Sequence, residues 1–120
     1  MPSILVADDN EAVRTSVRTT IEKETDLQVC GEAMDGLDAV EKSRELHPDL
    51  VVLDVVMPKL NGVAAAAVIR KQSPDVRIVL FTIFPDLLKA LGPAVGIDLV
   101  VSKQDGVRNL IKQVRALLTP

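Results

Sequence analysis

Cysteine and aromatic residues are almost absent from this chain. The sequence contains one cysteine, two phenylalanines, no tyrosine and no tryptophan. A single cysteine, Cys30, cannot form an internal disulfide bond, so we expect a protein of the reducing cytoplasm. Proteins that bind single-stranded nucleic acid stack bases on aromatic rings, and this chain has too few rings for that mode of binding. The core must therefore be built from aliphatic side chains.

Excess positive charge and long apolar runs are also lacking. The 14 basic residues are outnumbered by 17 acidic ones, a balance that argues against direct nucleic-acid binding. The longest unbroken apolar run covers residues 63–69, far short of the ~20 residues that a membrane helix needs. Asp8 and Asp9 follow the first apolar stretch at once, which does not fit a signal peptide. We expect neither a membrane contact nor a secreted protein.

Short apolar runs and the overall length predict the fold class. A hydrophobic content of 48% excludes a disordered chain, and 120 residues predict one domain over 1–120. Five apolar runs predict strands. They cover residues 4–7, 27–30, 50–53, 76–81 and 97–101. The first, third and fourth are aliphatic and nearly continuous, as strands buried on both faces are, whereas the second and fifth fit edge strands.

Segments of helical length separate these runs. Asn10 can cap the first helix, and in the second, over 36–45, we expect Leu37 and Val40 to mark the apolar side. Four consecutive alanines favour a third helix, and the clearest apolar stripe of the chain predicts a last one over 107–118. Strands that alternate with helices predict a doubly wound, five-stranded parallel sheet, which is an α/β fold with helices on both faces.

The fourth helix should depart from this regular pattern. It should span residues 85–95, yet Gly92-Pro93 lies inside that segment. An interior proline costs about 3 kcal/mol and biases the preceding residue away from helical backbone angles. We therefore expect a short or kinked helix there.

Polar residues follow the predicted strands at the edge where open α/β sheets bind ligands. Asp8 and Asp9 follow the first strand, Asp54 the third, Thr82 the fourth and Lys103 the fifth. Because the first and third strands are neighbours in a flavodoxin-like order, their three acids should converge. Converging carboxylates repel one another unless a cation neutralises them. Oxygen ligands without histidine or cysteine suit Mg²⁺ in particular.

The same residue types suit phosphoryl transfer. A carboxylate beside Mg²⁺ can attack phosphorus and form an aspartyl phosphate. The Lys103 ammonium would neutralise one phosphoryl oxygen, and the Thr82 hydroxyl would donate a hydrogen bond to another. Each residue alone is more often a helix cap, a loop residue or a surface charge. Their joint placement after the appropriate strands favours a site that transfers a phosphoryl group.

Several motifs resemble the receiver domain of two-component response regulators. They are Asp8-Asp9, residues 53–58 with Asn61-Gly62, Phe81-Thr82, and Ser102-Lys103. The resemblance covers essentially the whole chain, and it is strongest to receivers that are joined to helix-turn-helix output domains. It implies a (βα)5 fold with strand order 2-1-3-4-5.

The resemblance also implies a role for each site residue. Asp54 would be the phosphoacceptor, while Thr82 and Lys103 would contact the phosphoryl group and Thr82 would act as the switch residue. The implied metal ligands are Asp8, Asp9, Asp54 and the backbone carbonyl of Val56. Asp8 would bind Mg²⁺ mainly through water.

The partners of such a domain follow from the same resemblance. The phosphoryl group would come from a histidine kinase, a phosphotransfer protein or a small acyl phosphate. A shift between two conformations would then control an output domain or another partner. The protein would not be an enzyme in the usual sense, because it would catalyse only its own phosphorylation and dephosphorylation. Leu117-Leu118 at the end of the last helix leaves a homodimer contact open.

Some positions depart from the family pattern. Ile83 and Phe84 follow Thr82, where most receivers place a small residue first, and Val100 stands at the position of the switch aromatic. Two hypotheses stay open: a receiver with normal phosphorylation and altered output, or an atypical receiver that acts as a constitutive protein-interaction module with little phosphorylation. A haloacid-dehalogenase-type phosphatase fits less well, because its second Asp would stand where this chain has Val56.

Overall fold

A five-stranded parallel sheet forms the centre of the molecule in a computed structural model that describes residues 1–119. The strands are β1 (Ser3–Ala7), β2 (Gln28–Ala33), β3 (Leu50–Leu53), β4 (Arg77–Thr82) and β5 (Leu99–Ser102). Their order in the sheet is β2-β1-β3-β4-β5. The predicted doubly wound fold and its two edge strands are confirmed. Pro120, the last residue of the predicted domain, lies outside the described residues.

Five helices cover the two faces of the sheet. They are α1 (Glu11–Glu24), α2 (Gly36–Leu46), α3 (Gly62–Gln72), α4 (Pro85–Leu91) and α5 (Gly106–Leu118). One apolar cluster joins α1 and α5 to the sheet, and a second joins α2, α3 and α4 to the opposite face. None of the helices in residues 1–119 has the length and apolar character that a membrane crossing needs.

The central strand β3 shows why the apolar runs were continuous. Leu50, Val51, Val52 and Leu53 are all buried, because Leu50 and Val52 face the α1/α5 cluster while Val51 and Leu53 face the other. A strand that is covered on both faces has no position for a polar side chain. Polar residues can therefore appear only where such a strand ends, and this is where the candidate site lies.

The prediction for the apolar side of α2 is confirmed for Val40, which packs against the core, and wrong for Leu37. Leu37 is 52% exposed, and the buried positions of this helix are Gly36, Ala39 and Ser43. A side-chain carbon at Gly36 would lie 1.8 Å from the backbone carbonyl oxygen of Leu60. The helix therefore packs through small residues that allow this close approach, and Leu37 turns towards solvent.

The fourth helix is short, as Gly92-Pro93 predicted. The α-helix ends at Leu91 and continues as a single 3-10 segment over Gly92–Val95. The backbone N–H of Ile97 then donates to the carbonyl oxygen of Gly92 at 2.9 Å. Ile97 is buried there, ahead of the strand, so β5 begins two residues later than the apolar run suggested.

Candidate metal centre

The pairing of β1 with β3 makes Asp8 and Asp54 neighbours. Ala7 and Leu53 are partners in the parallel register, and each is the last residue of its strand. The backbone N–H of Asp54 donates to the carbonyl oxygen of Ala7 at 2.9 Å. The backbone N–H of Asp8 donates to the carbonyl oxygen of Ala33 at 3.0 Å. The position of both acids is thus fixed by the sheet itself.

Three carboxylates meet at this edge of the sheet. Asp8, Asp9 and Asp54 each offer one oxygen, and these oxygens lie within 4.8 Å of one another. Asp8 is 3% exposed and Asp54 is 8% exposed, whereas Asp9 faces solvent. The expected convergence of the acids is present, and the cluster is open on the side of Asp9.

Lys103, which directly follows β5, contacts two of the three carboxylates. Its Nζ lies 2.9 Å from Asp8 Oδ2 and 3.2 Å from Asp54 Oδ1. Burial alone would lower the pKa of the Lys103 ammonium, but the two carboxylates outweigh it and raise that pKa above its ordinary value. Burial, together with the adjacent Asp8 carboxylate, raises the pKa of Asp54 against the opposing effect of Lys103. The charges of Lys103 and Asp54 therefore depend on each other.

The loop between β3 and α3 holds the Asp54 carboxylate in place. Asp54 Oδ1 accepts a hydrogen bond from the backbone N–H of Val55 at 2.8 Å, and the Val55 carbonyl oxygen accepts one from Gly62 at 2.8 Å. Asn61 caps α3 by accepting from Ala64 N–H at 2.9 Å. Gly62 passes so close to the Asp54 backbone that a side-chain carbon would lie 1.9 Å from its carbonyl oxygen. This loop is therefore closely fitted to the acid.

The donor atoms fit a hard divalent cation. Three carboxylates contribute oxygen only, and no histidine or cysteine belongs to this group of the described residues. The carbonyl oxygen of Val56 accepts no hydrogen bond from residues 1–119, so it is free to serve as a further oxygen ligand. Carboxylate, carbonyl and water oxygens are the ligands that Mg²⁺ takes in proteins. The residues present fit the predicted ion.

Comparison with known proteins identifies the family. The family model described as response regulator receiver domain matches residues 4–115. The chain belongs to this receiver family. Response regulator protein VraR of Staphylococcus saprophyticus is 30% identical over an alignment of 115 residues, and the match covers 93% of this chain and 54% of VraR. The receiver therefore spans about half the length of the curated relatives that it matches.

Solved structures agree with this assignment. The response regulator domain of Thermotoga maritima CheB superposes with a TM-score of 0.87 and 29% identity, and covers 100% of this chain and 99% of that one. A two-component response regulator of the LuxR family from Aurantimonas sp. SI85-9A1 gives a TM-score of 0.90 at 30% identity, over 97% of this chain and 84% of that one. The resemblance read from the sequence, including that to receivers joined to helix-turn-helix output domains, is confirmed.

Thr82 lies at the expected end of β4, but it takes no part in the ion pairs that join Lys103 to Asp8 and Asp54. Its side chain is buried, and its hydroxyl oxygen accepts a hydrogen bond from the backbone N–H of Phe84 at 3.0 Å. Among the described residues, no hydrogen bond joins it to Asp54 or Lys103. The contact of Thr82 with a phosphoryl group stays a prediction.

The atypical positions of the receiver differ in their surroundings. Ile83 is 55% exposed and Phe84 is 50% exposed, on the turn that leads from β4 into α4. Val100 is half-buried and packs against the cluster formed by α2, α3 and α4. A large apolar surface therefore follows Thr82, while the position that usually holds an aromatic ring is filled by an aliphatic side chain.

Proposed function

We propose that this receiver is the phosphoacceptor of a two-component system. Asp54 accepts a phosphoryl group in the presence of Mg²⁺ from a histidine kinase, a phosphotransfer protein or a small acyl phosphate. The observation that carries the proposal is the contact of Lys103 Nζ with Asp54 Oδ1 inside the three-carboxylate cluster. Asp8 and Asp54 are buried and share one lysine, which distinguishes this cluster from ordinary surface charges.

The geometry around Asp54 suggests which oxygen reacts. Both the Val55 N–H and the Lys103 ammonium contact Oδ1, so Oδ2 is free of hydrogen bonds within residues 1–119. In our proposal Oδ2 forms the bond to phosphorus as the bond from phosphorus to the donor nitrogen or oxygen breaks. Lys103 neutralises negative charge on the transferred group. Mg²⁺, when bound by the acidic cluster and the Val56 carbonyl, would neutralise more of that charge.

The cellular role that we propose is that of a cytoplasmic regulator. The receiver acts on no separate substrate, since it catalyses only its own phosphorylation and dephosphorylation. Phosphorylation shifts the conformation of the face formed by α4, β5 and α5, which then controls an output domain or a partner protein. The similarity to a LuxR-family regulator and the greater length of the curated relatives support a helix-turn-helix output domain for transcription regulation.

A direct test is phosphorylation by a small donor. The protein is incubated with Mg²⁺ and acetyl phosphate, and its intact mass is compared with that of the Asp54→Asn variant. We expect the mass of one phosphoryl group to be added to the wild type and not to the variant, because a side-chain amide at this position lacks the nucleophilic carboxylate. No gain by the wild type, either from acetyl phosphate or from candidate kinases, would contradict the proposal.

A second candidate function is the constitutive protein-interaction module. It is favoured by a group of apolar side chains that follow β3 and β4 in the chain and are each half-exposed or more. They are Val56, Ile83, Phe84, Leu87 and Leu91. Exposed apolar groups of this extent mark interaction surfaces in soluble domains. This candidate predicts that partner binding is the same in the wild type and in Asp54→Asn.

The lifetime of the phosphorylated receiver should depend on Ile83. We expect Ile83, Phe84 and Val56 to shield the acyl phosphate from water. The Ile83→Ala variant should then lose its phosphoryl group roughly three- to tenfold faster, which corresponds to about 1 kcal/mol of barrier. Decay of the phosphorylated protein, followed by intact mass after removal of the donor, measures this rate.

Leu87→Ala is the matched control for that experiment. It removes an exposed aliphatic side chain from the adjoining helix α4, but it does not adjoin Thr82. We expect its phosphorylated form to decay at the wild-type rate. A wild-type lifetime shorter than that of Ile83→Ala would contradict the shielding hypothesis.

A further inference from the structure

Arg14 reaches the acidic cluster from outside it. This residue lies near the start of α1, and its side chain is only 14% exposed. Its Nη1 donates to the backbone carbonyl oxygen of Asp8 at 2.6 Å, and its Nε donates to Glu32 Oε1 at 3.2 Å. A single guanidinium thus joins the end of β1 to β2.

Glu32, which accepts from this guanidinium, is itself held in place by two further basic side chains. Its other carboxylate oxygen, Oε2, accepts a hydrogen bond from Arg18 Nη1 at 2.7 Å, and its backbone carbonyl oxygen accepts one from Lys42 Nζ at 2.5 Å. Arg18 lowers the pKa of the Glu32 carboxyl most, and Arg14 lowers it further, although partial burial acts in the opposite direction. Glu32 is therefore charged near neutral pH and holds Arg14 in one orientation.

The carbonyl that Arg14 binds belongs to the peptide group between Asp8 and Asp9. Within residues 1–119, the Arg14 guanidinium is the only donor to this oxygen. Asp9 faces solvent, and its carboxylate has no hydrogen bond of its own in the described part of the chain. Arg14 therefore holds the Asp8–Asp9 peptide from its carbonyl side. The Asp8 carboxylate is also held by the Asn10 N–H and by Lys103, both at 2.9 Å, so the direction of the Asp9 carboxylate depends most on that peptide.

We propose that Arg14 is a positioning residue for the Mg²⁺ site, which holds the Asp8–Asp9 peptide so that both carboxylates face the cation. The inference rests on the Mg²⁺ binding of the proposed function and not on phosphoryl transfer. Partners that orient metal ligands in this way commonly contribute much of a site's affinity. Arg14 itself contacts neither the ion nor the phosphoryl group.

The direction in which the Mg²⁺ affinity changes when Arg14 is removed distinguishes a positioning role from an effect of its charge alone. Arg14 is a cation close to a site that binds a cation. If it acted through its charge alone, its removal would strengthen Mg²⁺ binding, because one repulsive interaction would be lost. If it positions the ligands, its removal weakens Mg²⁺ binding despite the lost repulsion. Loss of a merely structural contact would lower stability and leave the affinity of the folded protein unchanged.

The test is a titration with magnesium chloride that is followed by the backbone amide chemical shifts of the whole chain. We expect Arg14→Met to bind Mg²⁺ about tenfold more weakly than the wild type. Arg14→Lys should fall between the two, since an ammonium keeps the charge but cannot bridge two acceptors as a planar guanidinium does. Arg18→Met is the matched control, because Arg18 also pairs with Glu32 but does not contact Asp8. It should bind Mg²⁺ as the wild type does.

The inference is overturned if the affinity of Arg14→Met equals or exceeds that of the wild type. It is also overturned if Arg18→Met loses affinity to the same extent. If Arg14→Met does not fold, as its amide spectrum would show, Arg14→Lys decides, and wild-type affinity in that variant overturns the inference. A wild type that shows no shifts at Asp8, Asp9 or Asp54 would contradict the proposed function as well. If the wild type binds Mg²⁺ and Arg14→Met binds it with the same affinity, only the role of Arg14 is overturned.

Discussion

Lys103→Met should accept a phosphoryl group from acetyl phosphate about 100-fold more slowly than the wild type, as is typical when one charge-stabilising donor is lost from an active site. Lys103 Nζ lies 3.2 Å from Asp54 Oδ1 and 2.9 Å from Asp8 Oδ2. Methionine has a similar length but no charge, so it removes the ammonium with little change in packing. The rate of mass gain at a fixed Mg²⁺ concentration measures the effect.

The loss of phosphorylation rate in Lys103→Met should depend on pH. Burial and Asp8 raise the pKa of Asp54, and Lys103 opposes them, so the variant should have a still higher Asp54 pKa. The reactive form is the carboxylate, whose fraction increases as the pH rises through that pKa. Part of the lost rate should therefore return at higher pH. Lys23→Met, at the exposed end of α1, is the matched control, and an equal rate in the two variants would contradict the role of Lys103.

Gly62→Ala should lower the free energy of unfolding by about 3 kcal/mol, the upper part of the usual range for an overpacked site. The added carbon would lie 1.9 Å from the Asp54 carbonyl oxygen and 3.0 Å from the Val55 Cα. Both atoms belong to the backbone and cannot turn away as a flexible side chain would. The loop that carries the phosphoacceptor must therefore move. Urea unfolding followed by circular dichroism measures the change.

Gly92→Ala is the matched control for that substitution. Its backbone angles are helical, and the nearest atom to an added carbon is Ile97 Cβ at 3.6 Å, an ordinary contact distance. Alanine favours helix over glycine by up to about 1 kcal/mol, but this gain is opposed because Gly92 precedes Pro93, whose ring disfavours helical backbone angles in a preceding residue that carries a β-carbon. We expect Gly92→Ala to lose much less stability than Gly62→Ala, because no backbone atom of another segment blocks the added carbon. A Gly62→Ala variant of equal stability would show that the β3–α3 loop is less closely fitted than the structure indicates.

The sequence was most informative about the central strands and the residues that end them. Residues 50–53 could be predicted as a fully covered strand because all four side chains are aliphatic. The convergence of Asp8 with Asp54 then followed from the order of the strands, since a parallel register places their ends side by side. Continuous apolar runs and the charges that end them are local patterns, so they can be read without knowledge of the tertiary structure.

Contacts between distant segments could not be predicted in the same way. The close approach of Gly36 to Leu60 depends on how α2 meets the β3–α3 loop, so the exposure of Leu37 was missed. Arg14 and Glu32 are 18 residues apart, and nothing in the local pattern pairs them. The one available signal was Glu32 itself, a charged residue two positions beyond the predicted second strand, which requires a partner when partly buried.

Chemical trapping can show whether Asp54 is the residue that accepts the phosphoryl group. Borohydride reduces an aspartyl phosphate to homoserine, which marks the modified residue permanently. The protein is treated with Mg²⁺ and acetyl phosphate, reduced, digested and analysed by peptide mass spectrometry. We predict homoserine at position 54 and at no other acidic position. Homoserine at position 8 or 9, or no homoserine in a protein that binds Mg²⁺, would contradict the assignment of Asp54 as the phosphoacceptor.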